Sequence, residues 1–165
     1  MIEVYRNLYV GDQRDYENIK FNPNFFFVQA CKEPYHRIAL GYKGRAAPRY
    51  HPEYLIAYRT NRIILNLIDV EDKNYIPKEI IDAAIDFIFK FHKNDNKILI
   101  HCNLGESRAP SVGILYLAIN NIIRNHTYQE AYEDFIKIYP NYFPKNGIKQ
   151  FLIENWSHYI NSYKG

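Results

Sequence analysis

Five residues separate a cysteine from an arginine in His101-Cys102-Asn103-Leu104-Gly105-Glu106-Ser107-Arg108. This run follows the apolar stretch Ile98-Leu99-Ile100 and precedes a helical pattern. The layout predicts a strand, a tight loop and a helix start in succession. Backbone N–H groups of the loop and first helical turn then converge on one point, and the helix dipole adds partial positive charge there. Thiols in such surroundings ionise readily, and the planar fork of an arginine holds two phosphate oxygens at once. The run therefore specifies a phosphate cradle with a sulfur nucleophile at its floor. Cys102 is the attacking atom, and Arg108 with Asn103, Leu104, Gly105, Glu106 and Ser107 forms the phosphate-binding ring. A free cysteine is most often a packing residue, but between His101 and a Gly-Ser-Arg turn the nucleophile is the better account. Gly105 allows a backbone angle that other residues resist, so that several N–H groups converge. Ser107 caps the helix or orders the loop, and His101 orients the loop and tunes Cys102 rather than carrying protons.

The rest of the chain alternates strand and helix signals. Residues 8–10 and the unbroken apolar run 25–28 predict strands, as do 62–68 and 97–101, the last delivering the nucleophile. Pro77 opens a helix over about 78–91, with Ile81, Ala84, Ile85 and Ile88 at helical spacing. A second helix covers about 107–123. Thr127-x-x-Glu130 is a capping box that opens a third, which Pro140 stops. Phe151, Leu152, Asn155, Trp156, Tyr159 and Ile160 share one face of a last helix, with Trp156 as a core anchor. This alternation predicts an α/β fold, a sheet flanked by helices.

The loop 101–111 resembles the active-site loop of cysteine-dependent protein phosphatases, in the dual-specificity branch. Three further segments extend the resemblance over most of the chain. Residues 6–12 look like the opening strand of that branch, and 115–118 like the helix behind its active site. Tyr139-Pro140-Asn141 through 147–152 look like its last helix–helix junction. The resemblance implies a small, twisted, mostly parallel central sheet with the phosphate loop at a strand's carboxyl end. It implies metal-independent hydrolysis of phosphate monoesters through a phosphocysteine, with no cofactor. It also implies an aspartate acid on a loop about thirty residues before the cysteine. Asp72 lies 30 positions before Cys102 and Asp69 lies 33 before, so spacing favours Asp72 and leaves Asp69 open. Glu71 is a weaker third candidate. The family usually follows the arginine with Ser or Thr, whose hydroxyl helps the sulfur leave in the second step, whereas this chain has Ala109. Capture of phosphate should survive that change, and turnover should slow unless another hydroxyl serves. Ser111, two positions on, is expected to point elsewhere.

With 165 residues the chain is expected to form a single domain with a real core, over residues 1–165. It has no run of 18 apolar residues and no signal-peptide pattern, so no membrane association and a cytoplasmic location are expected. Two cysteines 71 positions apart make no disulfide framework. Cys31 is read as a buried strand-end residue, with trapping of oxidised Cys102 as the less favoured role. Charge is concentrated in an insertion-like segment at about 31–62, which carries seven basic and two acidic residues, while the whole chain is only +3. Basic and aromatic residues interleave there, so the segment either grips an acidic peptide or a nucleotide-bearing substrate, or is a solvated surface loop. If it borders the cleft, Arg37, Lys43 and Arg45 are the recognition candidates. Glu106 in the cradle would repel a multiply phosphorylated ligand. That disfavours inositol lipids and RNA and favours a phosphorylated protein, carrying phosphotyrosine or also phosphoserine or phosphothreonine, a preference that depends on cleft depth and is not written in the sequence. Two other functions remain open: a binding module that holds a phosphoprotein or nucleotide without hydrolysis, and a phosphatase for RNA ends or a small phosphometabolite.

Overall fold

A computed structural model describes residues 1–163. Six strands form one sheet in the order β1-β2-β6-β3-β5-β4. Its parallel centre comprises β2 (Leu8–Gly11), β6 (Lys97–His101), β3 (Phe25–Gln29) and β5 (Arg62–Leu65). Antiparallel edges are added by β1 (Ile2–Tyr5) and β4 (Ile56–Arg59). The expected α/β architecture with a mostly parallel sheet is borne out.

β3 reads as an unbroken apolar run because both its faces are covered. Phe26 turns to α3 (Lys78–His92), where it meets Phe87 and Phe91, and Phe27 turns the other way to Tyr16 of α1 (Gln13–Ile19). Gln29 is level with His101 on β6, so both side chains share the α1 face. On the opposite side lie α3, α4 (Arg108–Ile119), α5 (Tyr128–Ile138) and α6 (Asn146–Ser162). Residues 108–118 of α4 are buried all round, because α4 is sandwiched between the sheet and α3, α5 and α6. A short distorted turn (Lys32–His36) and α2 (Arg37–Leu40) follow β3.

Most of the predicted elements stand where the sequence put them, with shorter ends. The helix expected to Ile123 stops at Ile119, and the chain then turns through Asn121 at φ +58°. Pro77 is the N-cap of α3. Trp156 is buried and donates its indole N–H to the Asn125 carbonyl at 2.9 Å, as suits a core anchor. Three elements were not anticipated. α1 buries only Tyr16, and its start signal is Asp12-x-x-Asp15 in place of the commoner Ser/Thr-x-x-Glu. β1 and β4 are four-residue edge strands whose buried residues are Val4 and Ala57 alone.

Thr127 accepts from the Glu130 N–H and Glu130 reaches back to the Thr127 N–H, closing the predicted capping box. Thr127→Ala is expected to cost about 1 kcal/mol, and Phe135→Ala, in the fully buried centre of α5, about 3–5 kcal/mol. Urea unfolding of the two variants beside wild type measures both.

Candidate active site

β6 ends at His101, and the chain turns through 102–107 into α4, so the loop sits at the carboxyl end of a central parallel strand. Gly105 has φ +70°, and a Cβ there would lie 3.0 Å from both the Gly11 carbonyl and the Tyr139 hydroxyl. Position 105 thus needs glycine for its backbone angle and for space. Tyr139 donates its hydroxyl to the Gly105 carbonyl at 2.7 Å, supporting the loop from beneath. Burial, and then the nearby Cys102, raises the Tyr139 pKa, which keeps that hydroxyl a donor.

Cys102 lies at the floor of a cleft of about 420 Å³, lined also by Arg108, Ser107, Glu106, Asn103, Leu104, Asp69, Phe143 and Lys145. Cys102 is 2 % exposed and Arg108 8 %. Arg108 donates Nη1 to the Leu67 carbonyl at 3.0 Å and Nη2 to Asn103 Oδ1 at 2.6 Å. Its buried Nε has no partner among the described residues. Neutral oxygens therefore hold the guanidinium, and its charge is left for an anion in the cleft. The Asn103 side chain is a relay: its Nδ2 donates to Gln13 Oε1 and to the Glu33 carbonyl, both at 2.9 Å. Among the described residues, no group of three or more His, Cys, Asp or Glu side chains is arranged to hold a metal ion.

The two acid candidates part company here. Asp69 lines the cleft, and its Oδ1 accepts from the Ser107 hydroxyl at 3.0 Å. Asp72 is exposed, lies outside the cleft lining and caps the turn Lys73–Tyr75, accepting from the Asn74 N–H at 2.9 Å. Glu71 is exposed as well. Of the two, Asp69 lines the cleft, and Asp72, which the spacing favours, does not. Counting residues cannot tell a loop position that lines the cleft from a turn three residues further on. Ser107 stands at the N-cap position but makes no capping bond. Its hydroxyl instead donates to Asp69 and accepts from the Lys145 N–H at 2.9 Å.

His101 is fully buried and stacks on Tyr16 at 4.6 Å, with Tyr35 edge-on at 5.1 Å and the Gln29 side-chain amide 3.2 Å from its Nε2. Burial lowers its pKa to about 3, so the ring is neutral. Ser111 has its hydroxyl 3.0 Å from that of Tyr142, which is in turn 3.0 Å from that of Tyr128. The Ser111 hydroxyl is thus engaged by Tyr142, and Ala109 brings none of its own. Cys31 is buried at the end of β3, and burial pushes its pKa up to about 12. A thiol held neutral in this way is a poor attacker, which suits a packing role.

Of the segment 31–62, neither Arg37, Lys43 nor Arg45 lines the cleft. Arg37 is engaged internally by Glu33 at 2.7 Å and by the carbonyls of Tyr42 and Gly44. Lys43 and Arg45 are exposed. Two cleft residues escaped the sequence analysis. Phe143 (79 % exposed) and Leu104 (74 %) form an apolar rim, and Lys145 stands beside Asp69. Both Phe143 and Lys145 lie on the strap between α5 and α6, tied to the loop by Phe143 N–H to the Glu106 carbonyl at 2.7 Å. The signal was an aromatic and a lysine flanking Pro144, in a stretch with no helical pattern to bury them.

No protein-family model matches the chain. An 88-residue stretch, 53 % of this chain, is 32 % identical to the dual specificity protein phosphatase PHS1 of Arabidopsis thaliana and covers 9 % of that protein. The chain thus matches less than a tenth of the length of that curated relative. Among solved structures it is similar to DUSP15 (TM-score 0.64, 16 % identity, 96 % of this chain and 89 % of that one). It is equally similar to the human tyrosine phosphatase-like serine/threonine/tyrosine-interacting protein (0.65, 16 %, 97 % and 97 %) and to human DUSP28 (0.64, 14 %, 95 % and 93 %). The expected resemblance holds at the level of fold.

Neutral His101 has a consequence for stability. Between pH 6.5 and about 3 the unfolded chain binds a proton that folded His101 refuses, so stability is full above 6.5 and falls as pH drops through that window. His36, buried and lowered for the same reason, adds to the slope. Across the window His101 alone should cost about tenfold in the folding equilibrium per pH unit. In urea titrations from pH 7 to 4, His101→Gln should show a shallower decline than wild type.

Proposed function

We propose that this chain, a dual-specificity phosphatase-like protein by fold and by sequence resemblance, hydrolyses phosphate monoesters through a phosphocysteine on Cys102. One observation carries this most: a buried thiol at the floor of a cleft, beside an arginine that no carboxylate neutralises, with a carboxyl group on the wall. The phosphate oxygens take up the Arg108 guanidinium and the backbone N–H groups of 103–108, while the ester oxygen faces Asp69. The Cys102 thiolate attacks phosphorus in line, the P–O ester bond breaks, and Asp69 gives its proton to the leaving oxygen. Asp69, now a carboxylate, draws a proton from water as that water attacks the phosphocysteine. The P–S bond breaks, and phosphate and thiolate are regenerated.

The rim supports an aryl substrate. Leu104 and Phe143 offer apolar surface at the cleft mouth, which the ring of phosphotyrosine would cover and the shorter phosphoserine would not. Glu106 in the lining disfavours ligands with several phosphates. A phosphorylated protein is therefore the favoured partner, with tyrosine before serine or threonine.

Ala109 favours a second behaviour. With no hydroxyl at 109 and that of Ser111 engaged by Tyr142, the departing sulfur lacks the hydrogen bond that would stabilise it. The second step should be rate-limiting, and at its extreme the protein would hold its substrate's phosphate rather than release it.

Hydrolysis of para-nitrophenyl phosphate in chelator across pH 4.5–8 tests the proposal. Cys102→Ser should abolish turnover, and Arg108→Lys should lower kcat/KM by about a hundredfold or more. Asp69→Asn should remove the basic limb of the profile and cost about 10²–10⁴ on phosphotyrosine, while Asp72→Asn leaves both unchanged. Full activity in Cys102→Ser would overturn the mechanism, and loss of the basic limb in Asp72→Asn alone would return the acid to Asp72. In rapid-mixing experiments wild type should show a burst of nitrophenol followed by slow turnover, and Ala109→Ser should raise the slow phase about tenfold and shrink the burst.

A further inference from the structure

The cations between β3 and β4 have no role in the chemistry above, yet the loop that bears them is built with care. Its two carboxylates are already taken, Glu33 by Arg37 at 2.7 Å and Glu53 by Arg59 at 2.8 Å. Lys32, Lys43, Arg45 and Arg49 form no ion pair among the described residues, and the last three are exposed. Tyr42 is the pin of the loop. The Arg37 guanidinium lies over its ring at 4.7 Å, the Lys32 ammonium lies 5.9 Å from its centroid, and His36 Nδ1 is 3.0 Å from its hydroxyl. Arg37 also bonds the Tyr42 and Gly44 carbonyls, and Lys32 bonds that of Arg45. The backbone is fixed from inside, and the free cations at 43, 45 and 49 are presented outward.

The root of this loop abuts the cradle. The Leu67 carbonyl that accepts from Arg108 Nη1 at 3.0 Å also accepts from the Lys32 N–H at 3.0 Å. Asn103, which holds Arg108 Nη2 through Oδ1, donates Nδ2 to the Glu33 carbonyl. From Arg108 to Arg45 is thus a path of a few hydrogen bonds and one lysine side chain, which an extended peptide spans in about four or five residues at ~3.3 Å each. We propose that the loop 41–51 is a docking surface for acidic residues flanking the phosphorylated residue, so that the substrate is an acidic segment of a phosphoprotein. Lys43, Arg45 and Arg49 meet those carboxylates. Arg37, a recognition candidate by sequence, instead holds the loop in shape. Glu106 lines the cleft itself beside Phe143, so the acidic flank belongs on the side of the phosphorylated residue away from it.

This assignment rests on the cleft being the phosphate site of the proposed phosphatase, and the test separates the two. Phosphotyrosine peptides identical except for three Asp, three Asn or three Lys, placed on either side of the phosphorylated residue, are compared by kcat and KM. Binding to Cys102→Ser protein is followed in parallel by fluorescence anisotropy. The Asp peptide of one orientation should have a KM about tenfold below the Asn peptide at low salt, with kcat unchanged. That advantage should shrink at 0.5 M salt as screening takes over. The triple variant K43E/R45E/R49E should lose the advantage while hydrolysing para-nitrophenyl phosphate as wild type does, and K43Q/R45Q/R49Q should lose it in part. Equal KM values for all peptides, or an advantage that survives in both triple variants, would overturn the proposal. So would inhibition by single-stranded RNA or anionic vesicles with no peptide preference, which would give the loop a different partner. If no peptide or nitrophenyl phosphate is turned over, the proposed activity fails, and the anisotropy series alone still decides whether the loop selects acidic peptides.

Discussion

Arg108 is anchored by the Leu67 carbonyl and the Asn103 side chain, and the rest of the site is arranged around where those two bonds leave its charge. An arginine buried this deeply is costly unless its donors are met. Here two donors are met by neutral oxygens, and no carboxylate pairs with the charge in the cleft that Arg108 shares with Cys102. Leu67 lies just past the end of β5 and Asn103 just past the end of β6, so the guanidinium ties two parallel strands together at their carboxyl ends. The same Leu67 carbonyl accepts from the N–H of Lys32, three residues past the end of β3. The segments that follow three strands thus meet at the Leu67 carbonyl and the Arg108 guanidinium bound to it.

A second set of contacts closes the cleft from the other side. Tyr139 props up Gly105, the Phe143 N–H binds the Glu106 carbonyl, and Lys145 and Asp69 meet at the Ser107 hydroxyl. Gly147 completes the strap. Its N–H donates to the Val70 carbonyl at 3.0 Å, and a Cβ there would lie 2.2 Å from that oxygen, so the start of α6 presses directly on the loop that bears Asp69. Ser107, freed from capping α4, is the point where the loop 102–107, the segment bearing Asp69 and the strap join. Asp69 is thereby tied to the loop that carries Cys102, each tie spanning a single hydrogen bond.

The elements with strong periodicity or strong punctuation were legible in the sequence: β6 as an apolar run, α3 behind Pro77, α5 behind its capping box, and the loop between Cys102 and Arg108. The short edge strands and α1 were not, since four-residue strands with one buried side chain carry almost no pattern. The acid illustrates the same limit at the site. Asp69 and Asp72 differ by three positions in a stretch without regular structure, and only the turn capped by Asp72 shows which carboxylate is turned away. The basic segment was visible as composition, but composition cannot separate Arg37, which organises the loop, from Lys43 and Arg45, which face water.

The sequence by itself determined the local build of the loop between Cys102 and Arg108. A thiol, a glycine at a left-handed position, and an arginine entering a helix after an apolar strand leave few alternatives, because local backbone geometry and charge are set within eight residues. It also determined that the hydroxyl usual after the arginine is missing. Tertiary structure decided what reaches that loop from a distance: that Asp69 lines the same cleft as Cys102, that Phe143 and Lys145 border it, and that Ser111 is turned toward Tyr142. These depend on how strands, strap and loops pack across tens of residues of sequence, and no local pattern encodes that register.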